Sequence, residues 1–281
     1  MERKVVTAKD GAAIPALFCN FGEGGVKGIV VVSHGFGEHA AMYSEIAQVL
    51  GQAGYATVLF DQRGHGAPVG GEVRKLGITP SYECFLDDIV SVAEAAKQMA
   101  PGVPVALYGH SMGGNIVANT LLRDGTGCIC AVLEAPWMGL YKELSPLLVG
   151  FAKVAGAISP QISTTNKLKP EVLTSVTERM EGYVSDPYYH GKISFRMFSG
   201  IKKGCSYAIG NAGRLPVPVF LAYAENDMVL SNDATLQFAA NAGEKVTVRG
   251  YESRHAIHND VNREGFFRDV IGFLDSHCVT A

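Results

Sequence analysis

Apolar residues in this chain cluster in short, nearly continuous runs. The runs Val26–Ser33 (VKGIVVVS), Tyr55–Phe60, Val103–Tyr108, Cys128–Leu133 and Pro216–Ala224 are rich in β-branched residues and end in Gly, Pro or charge. Runs of this length without alternation predict strands buried on both faces, as in a parallel sheet. Between them the period changes. Tyr43, Ile46, Ala47 and Leu50 share one helical face in Tyr43–Gly51, and Tyr82–Ala100 predicts a long helix stopped by Pro101-Gly102. Further helices are expected over Asn115–Arg123, Asn232–Ala242 and Phe266–His277, with a last strand over Lys245–Gly250. Residues 1–18 predict a hairpin turning at Asp10-Gly11. Strand and helix in alternation predict an α/β fold, a mostly parallel central sheet with helices on both faces.

The alternation stops after Ala135-Pro136. Residues 137–211 show no short buried strands, only apolar pieces such as Leu147–Ala157 and a polar middle, Ser163–Glu181. They are expected to form an inserted helical cap, with residues 1–136 and 212–281 forming the core.

Bulk properties narrow the function classes. The 281 residues carry a net charge of −3 without a basic cluster, which argues against a nucleic-acid surface. Six cysteines match neither a zinc site nor a small disulfide framework, so reduced thiols in a cytoplasmic protein are expected. No apolar h-region follows the early charges, and no apolar run approaches the roughly 20 residues a membrane span needs.

Against that background GHSMGG, Gly109–Gly114, stands out. It has the form G-x-S-x-G between a buried strand and a helix, the setting in which a sharp turn exposes a nucleophilic serine. A serine hydroxyl needs a base, and the base needs a partner that fixes its tautomer. Two residues follow Ser111 in the order acid then histidine: Asp227 after the strand ending near Ala224, and His255 in YESRHAIH. Glu134 is a rival acid, and His258 is a rival base or a residue lining the site entrance. The backbone N–H groups of Met112 and of Phe36, in the loop His34-Gly35-Phe36-Gly37, are the expected oxyanion donors. His34 and His110 are expected to be structural, and Arg63 in DQRGHG to pair with a local carboxylate.

HGFGEHAAMY (His34–Tyr43), DQRGHG (Asp61–Gly66), GHSMGG, SDPYYHGKIS (Ser185–Ser194), END (Glu225–Asp227) and the His255 loop resemble the monoacylglycerol lipase/lysophospholipase branch of the α/β-hydrolases, grouped with serine aminopeptidase-like hydrolases. The resemblance covers nearly the whole chain and is weakest in the cap. It implies an α/β-hydrolase fold with the cap at 137–211, Ser111 as nucleophile, Asp227 as acid, His255 as base, and oxyanion amides at Phe36 and Met112. It departs from the branch at Met42, where many members carry Arg, and at Glu134-Ala135-Pro136, where Ser-Pro-like residues are common.

The expected activity is hydrolysis of acyl esters, such as monoacylglycerols or short- to medium-chain esters, with no metal or organic cofactor. Trp137, Met138, Leu140, Leu144, Leu147, Leu148 and Phe151, with Phe36 and His258, are the candidates for a substrate pocket. An apolar cap face is also a candidate lipid-surface or dimer contact, and leaves monomer and dimer both open. The alternatives are a peptidase, amidase or acyltransferase on the same residues, a cinnamoyl or feruloyl esterase, and a non-catalytic binding protein. A peptidase would want cap carboxylates to hold an amine, for which Glu171, Glu178 and Glu181 are available.

Overall fold

The computed structural model describes residues 1–22, 25–67, 76–123 and 127–278. An eight-stranded sheet forms its centre. In chain order its strands are β1 (Glu2–Thr7), β2 (Ala13–Cys19), β3 (Gly28–Ser33), β4 (Tyr55–Phe60), β5 (Val105–His110), β6 (Cys130–Glu134), β9 (Val219–Ala224) and β10 (Val246–Tyr251). Across the sheet the order is β1-β2-β4-β3-β5-β6-β9-β10. The first two pairings, β1 with β2 and β2 with β4, are antiparallel, and the rest are parallel.

The central strands explain the continuous apolar runs. Every residue of β3, β4, β5 and β6 is buried. Alternate side chains serve opposite faces: Ile29 and Val31 join one apolar cluster, Val30 and Val32 the other. The first cluster is closed by α2 (Glu83–Met99), α3 (Met112–Arg123), α7 (Phe195–Asn211) and α8 (Asn232–Ala242), the second by α1 (Ser44–Gln52) and α9 (Arg263–Cys278). Each large aliphatic side chain buried this way contributes about 1.5–3 kcal/mol.

Asp10 at the hairpin turn and Asp88 on α2 are joined by one cation. The Arg63 guanidinium donates to both carboxylates over 2.6–2.7 Å, so the carboxylate pairing expected of DQRGHG is present, but its partners are distant in the chain rather than local. Such forked pairing ties three separate segments in fixed geometry.

Between β6 and β9 the chain leaves the sheet and forms α4 (Pro146–Ile158), α5 (Pro170–Leu173), α6 (Thr177–Ser185) and all of α7. One expectation is corrected here. A second, two-stranded antiparallel sheet, β7 (Ser163–Thr165) with β8 (Lys192–Ser194), lies within residues 137–211, and Ile193 and Ser194 are buried. Three residues are too few for a strand to show alternation in the sequence. No described helix is long and apolar enough to cross a membrane.

Candidate active site

Ser111 occupies the turn between β5 and α3 with φ of +54°, a left-handed conformation that costs a non-glycine residue about 1–3 kcal/mol. The surroundings enforce it. The Ser111 N–H donates to the Glu134 carbonyl over 3.0 Å, and the Ser111 carbonyl accepts from Trp137 and Asn115 over 2.9 and 3.1 Å. The glycines around it are demanded by space: a Cβ on Gly113 would sit 2.1 Å from the Ser33 carbonyl oxygen, and one on Gly109 would sit 2.4 Å from that of Gly113. The G-x-S-x-G pattern is therefore the footprint of backbone segments passing at van der Waals limits.

His255 reaches this serine from the loop after β10, and Asp227 from the turn after β9. His255 Nε2 is 2.9 Å from Ser111 Oγ, and its Nδ1 is 2.7 Å from Asp227 Oδ2. The second Asp227 oxygen accepts from the N–H groups of Val229 and Leu230 over 2.8 and 2.9 Å. A carboxylate so held accepts from Nδ1–H and leaves Nε2 with a lone pair for the serine hydroxyl. All three side chains are buried, Ser111 at 5% exposure. Burial alone would raise the Asp227 carboxyl, but the His255 charge and these hydrogen bonds outweigh it and hold its pKa below the ordinary value. Burial likewise works to lower the His255 pKa, and Asp227 reverses it, so the imidazole lies above its ordinary 6.5.

Met112 is the first residue of α3, so its amide belongs to the helix's N-terminal turn, where N–H groups lack intrahelical partners. Phe36 lies in the loop after β3 and packs edge-on against the His65 and His190 rings. The neighbouring Gly35 N–H donates to Glu38 Oε2 over 2.9 Å, and the Gly37 carbonyl accepts from His190 over 2.9 Å. Gly37, at φ +76°, leaves no room for a Cβ, which would lie 2.0 Å from the His190 carbonyl oxygen. His34 accepts the Gln62 N–H at Nε2 over 3.0 Å, and burial pulls its pKa down to about 4, so the imidazole stays neutral in this structural role.

The pocket candidates do not form one wall. Trp137 and Met138 are buried in the main apolar cluster and Leu140 packs against it. Leu144, Leu148 and Phe151 are exposed, and Leu147 is 88% exposed. His258 is buried beside Glu134 rather than at Ser111, its Nδ1 lying 2.9 Å from Oε1.

Sequence reasoning singled out His110, Glu134 and His258 one by one but passed over Glu38, Tyr43 and Tyr183, which join His110 in a polar layer behind the serine. The Tyr43 hydroxyl donates to Glu38 Oε2 over 2.5 Å and lies 2.8 Å from His110 Nδ1, while Tyr183 on α6 donates to Glu38 Oε1 over 3.1 Å. The His110 ring is 5.0 Å from those of both His255 and His258. Donor atoms of His110, Glu134 and His258 lie within 4.8 Å of one another, yet the Glu134 carboxylate is already occupied by Tyr108 and His258. The available signal was two glutamates in buried positions: one inside the glycine loop, the other closing an apolar strand.

A serine held by an imidazole and a carboxylate at the carboxyl ends of a mostly parallel sheet defines the serine-hydrolase class of α/β-hydrolases. The model of the serine aminopeptidase S33 family matches residues 24–262, and the chain belongs to that family, among its esterase and lipase members. It is similar to the monoacylglycerol lipase of Mycolicibacterium smegmatis, 29% identical over 257 residues that cover 89% of each chain. The monoglyceride lipase of Rattus norvegicus is 28% identical over 251 residues, 87% of this chain and 81% of the relative. Among solved structures, the monoacylglycerol lipase of Paleococcus ferrophilus superposes with a TM-score of 0.83 at 26% identity, covering 99% of this chain and 100% of that one.

Proposed function

We propose that this ester hydrolase acts on monoacylglycerols or comparable short- to medium-chain esters through Ser111, His255 and Asp227, with residues 137–211 as a cap over the core formed by 1–136 and 212–281. The observation that carries the reading is the unbroken hydrogen-bonded chain from Asp227 through His255 to Ser111. Ser111 Oγ attacks the ester carbonyl carbon as its proton passes to His255 Nε2, and Asp227 stabilises the imidazolium that forms. The carbonyl oxygen gains charge against the amides of Phe36 and Met112, each such donor being worth about 10²–10³ in rate. His255 then gives its proton to the leaving alcohol, and the acyl group stays on Ser111. In the second half water gives a proton to His255 as its oxygen attacks the acyl carbon, and His255 returns that proton to Ser111 Oγ as the acyl–oxygen bond breaks and the acid leaves.

Two features support an ester of lipid character. The relatives above are named for monoacylglycerol hydrolysis. On α4, Leu147, Phe151, Val154 and Ile158 follow one another at helical spacing and are 88, 58, 61 and 75% exposed. A continuous apolar stripe of that kind suits transient contact with a lipid surface that delivers the substrate. The cap carboxylates Glu171, Glu178 and Glu181 are solvent-exposed, which does not suit a peptidase's buried amine anchor.

The test is hydrolysis of p-nitrophenyl esters from acetate to palmitate, beside 1-monoacylglycerol and a cinnamate ester, by wild type and Ser111→Ala. The expected result is turnover of monoacylglycerol and medium-chain esters, lost by about 10⁴-fold or more in the variant. A peak at acetate or a cinnamate preference would reject the lipid substrate, and full activity in Ser111→Ala would reject the nucleophile.

A further inference from the structure

Glu134 ends β6 beside the nucleophile turn, and both halves of the residue are engaged. Its backbone carbonyl accepts the Ser111 N–H over 3.0 Å. Its carboxylate accepts the backbone N–H of His258 over 2.9 Å through Oε1, and that same oxygen lies 2.9 Å from His258 Nδ1. The Tyr108 hydroxyl, from the adjacent strand β5, donates to Oε2. His258 sits in a short 3-10 turn, Ile257–Asn259, three residues beyond His255, and its ring stacks on Tyr43 at 5.0 Å. The residue after Glu134, Ala135, is itself held in the left-handed region at φ +39°, with its N–H donating to the Ala222 carbonyl over 2.8 Å. The chain is thus fixed on both sides of the carboxylate.

We propose that Glu134 is a positioning residue: its backbone holds the turn that carries Ser111 while its side chain holds the loop that carries His255, setting the distance between the two. This rests on the reading of Ser111 and His255 as nucleophile and base. Burying a carboxylate needs compensation, and here the compensation is one backbone N–H, one imidazole and one phenol, all drawn from segments that build the site. The role depends on reach. A side chain one methylene shorter keeps the charge but leaves the His258 amide, whereas an amide of equal length keeps an acceptor oxygen for it.

Glu134→Asp and Glu134→Gln therefore separate position from charge. Each is assayed for kcat and KM on p-nitrophenyl butyrate, with active sites counted by fluorophosphonate titration and folding followed by thermal melting. The expectation for Glu134→Asp is a kcat per titrated site about 10²-fold lower with KM within about 3-fold, the scale of a misplaced reacting group. Glu134→Gln is expected within about 5-fold of wild type. Equal, wild-type kcat in both variants would overturn the proposal, as would a larger loss in Gln than in Asp. Should the aspartate variant lose its fold, Tyr108→Phe carries the test, since it strips only the hydroxyl that holds the carboxylate. It is expected to lower kcat about 5-fold, and an unchanged kcat would overturn the role. Ser111→Ala, run alongside, keeps the two readings apart. An inactive Ser111→Ala with fully active Glu134 variants rejects the positioning role alone. An active Ser111→Ala rejects the nucleophile itself.

Discussion

The helices α3 and α4 are nearly equal in length, 12 and 13 residues, and their burial is opposite to what their compositions suggest. Helix α3, MGGNIVANTLLR, contains two asparagines and a threonine, yet Met112 through Leu122 are all buried. Helix α4, PLLVGFAKVAGAI, is more apolar, yet Ala152, Ala155 and Gly156 are its only buried residues. In α3 most polar groups are matched: Asn115 donates to the Trp137 carbonyl over 2.8 Å and accepts from Tyr82 over 2.6 Å, Thr120 donates to the Ile116 carbonyl over 2.9 Å, and Asn119 donates to the Asn115 and Gly204 carbonyls over 2.9 and 3.1 Å, its own Oδ1 alone lacking a partner. In α4 the apolar face meets water. Satisfied polar groups are compatible with a core, and apolar side chains do not by themselves make one. The first region has nearly all its polar groups committed to a geometry, while the second leaves most of an apolar face exposed.

The contrast sets the size of what each region does when altered. The site that α3 opens onto is committed in the same way, and there a single atom decides the outcome. Asp227→Asn preserves shape, but its amide no longer favours the His255 tautomer with Nδ1–H, so Nε2 is not left free to accept the serine proton. A loss of about 10⁴-fold in kcat is expected, on soluble and lipid esters alike. A loss confined to lipid substrate would place Asp227 outside the chemistry and erase the contrast between the two regions.

Acidity sharpens the same point. In the proposed mechanism His255 must be neutral at Nε2 to take the Ser111 proton, and Asp227 raises its pKa above the ordinary 6.5. A raised value means that the protonated, inactive form persists to higher pH. The acid limb of kcat/KM is therefore expected above 6.5, with activity falling about 10-fold for each unit of pH below it. A pH profile on p-nitrophenyl butyrate checks this; a limb below 6.5 would mean that burial, not Asp227, governs the imidazole.

The committed region was also the more legible in sequence. Strand β4 and helix α8 fall at the residues their patterns predict, because both are edged by sharp signals such as Gly54, Asp61 and Ser231. Ser111, Asp227 and His255 were singled out from one motif and a chain order, and the structure brings their side chains within hydrogen-bonding distance. Spacing could not pair Glu134 with His258, 124 residues away, since hydrogen bonds of such separation leave no periodic trace. Nor could it separate α4 from a core helix or a pocket wall. Pattern reports that a face is apolar, and only tertiary packing decides what covers it.

The smallest expected effect lies on α4, and it is also the most selective. Leu147→Ser and Phe151→Ser, made together, remove two exposed side chains of the stripe. Leu147→Ser lies on the surface and should move stability within about 0.5 kcal/mol, while Phe151→Ser also removes an edge-on contact with the Phe195 ring at 5.6 Å, costing about 0.5–1.5 kcal/mol. Helix propensity falls slightly at both positions, but α4 is held to the fold by other residues: its Ser145 N-cap accepts the Leu148 N–H over 3.3 Å, and Arg196 donates to the Gly156 carbonyl over 2.8 Å. Chemistry at Ser111 is untouched, so hydrolysis of p-nitrophenyl acetate should stay within 2-fold of wild type, by the order of magnitude expected of a remote surface change. Each large apolar side chain withdrawn from a lipid interface forfeits roughly 1–2 kcal/mol. The pair should therefore weaken binding to phosphatidylcholine vesicles and raise the apparent KM for vesicle-borne monoacylglycerol by about 10-fold or more, against an unchanged kcat. Equal losses on both substrates would make the stripe part of the fold. Unchanged vesicle binding would leave α4 without a lipid role, and the comparison would then rest on α3 alone.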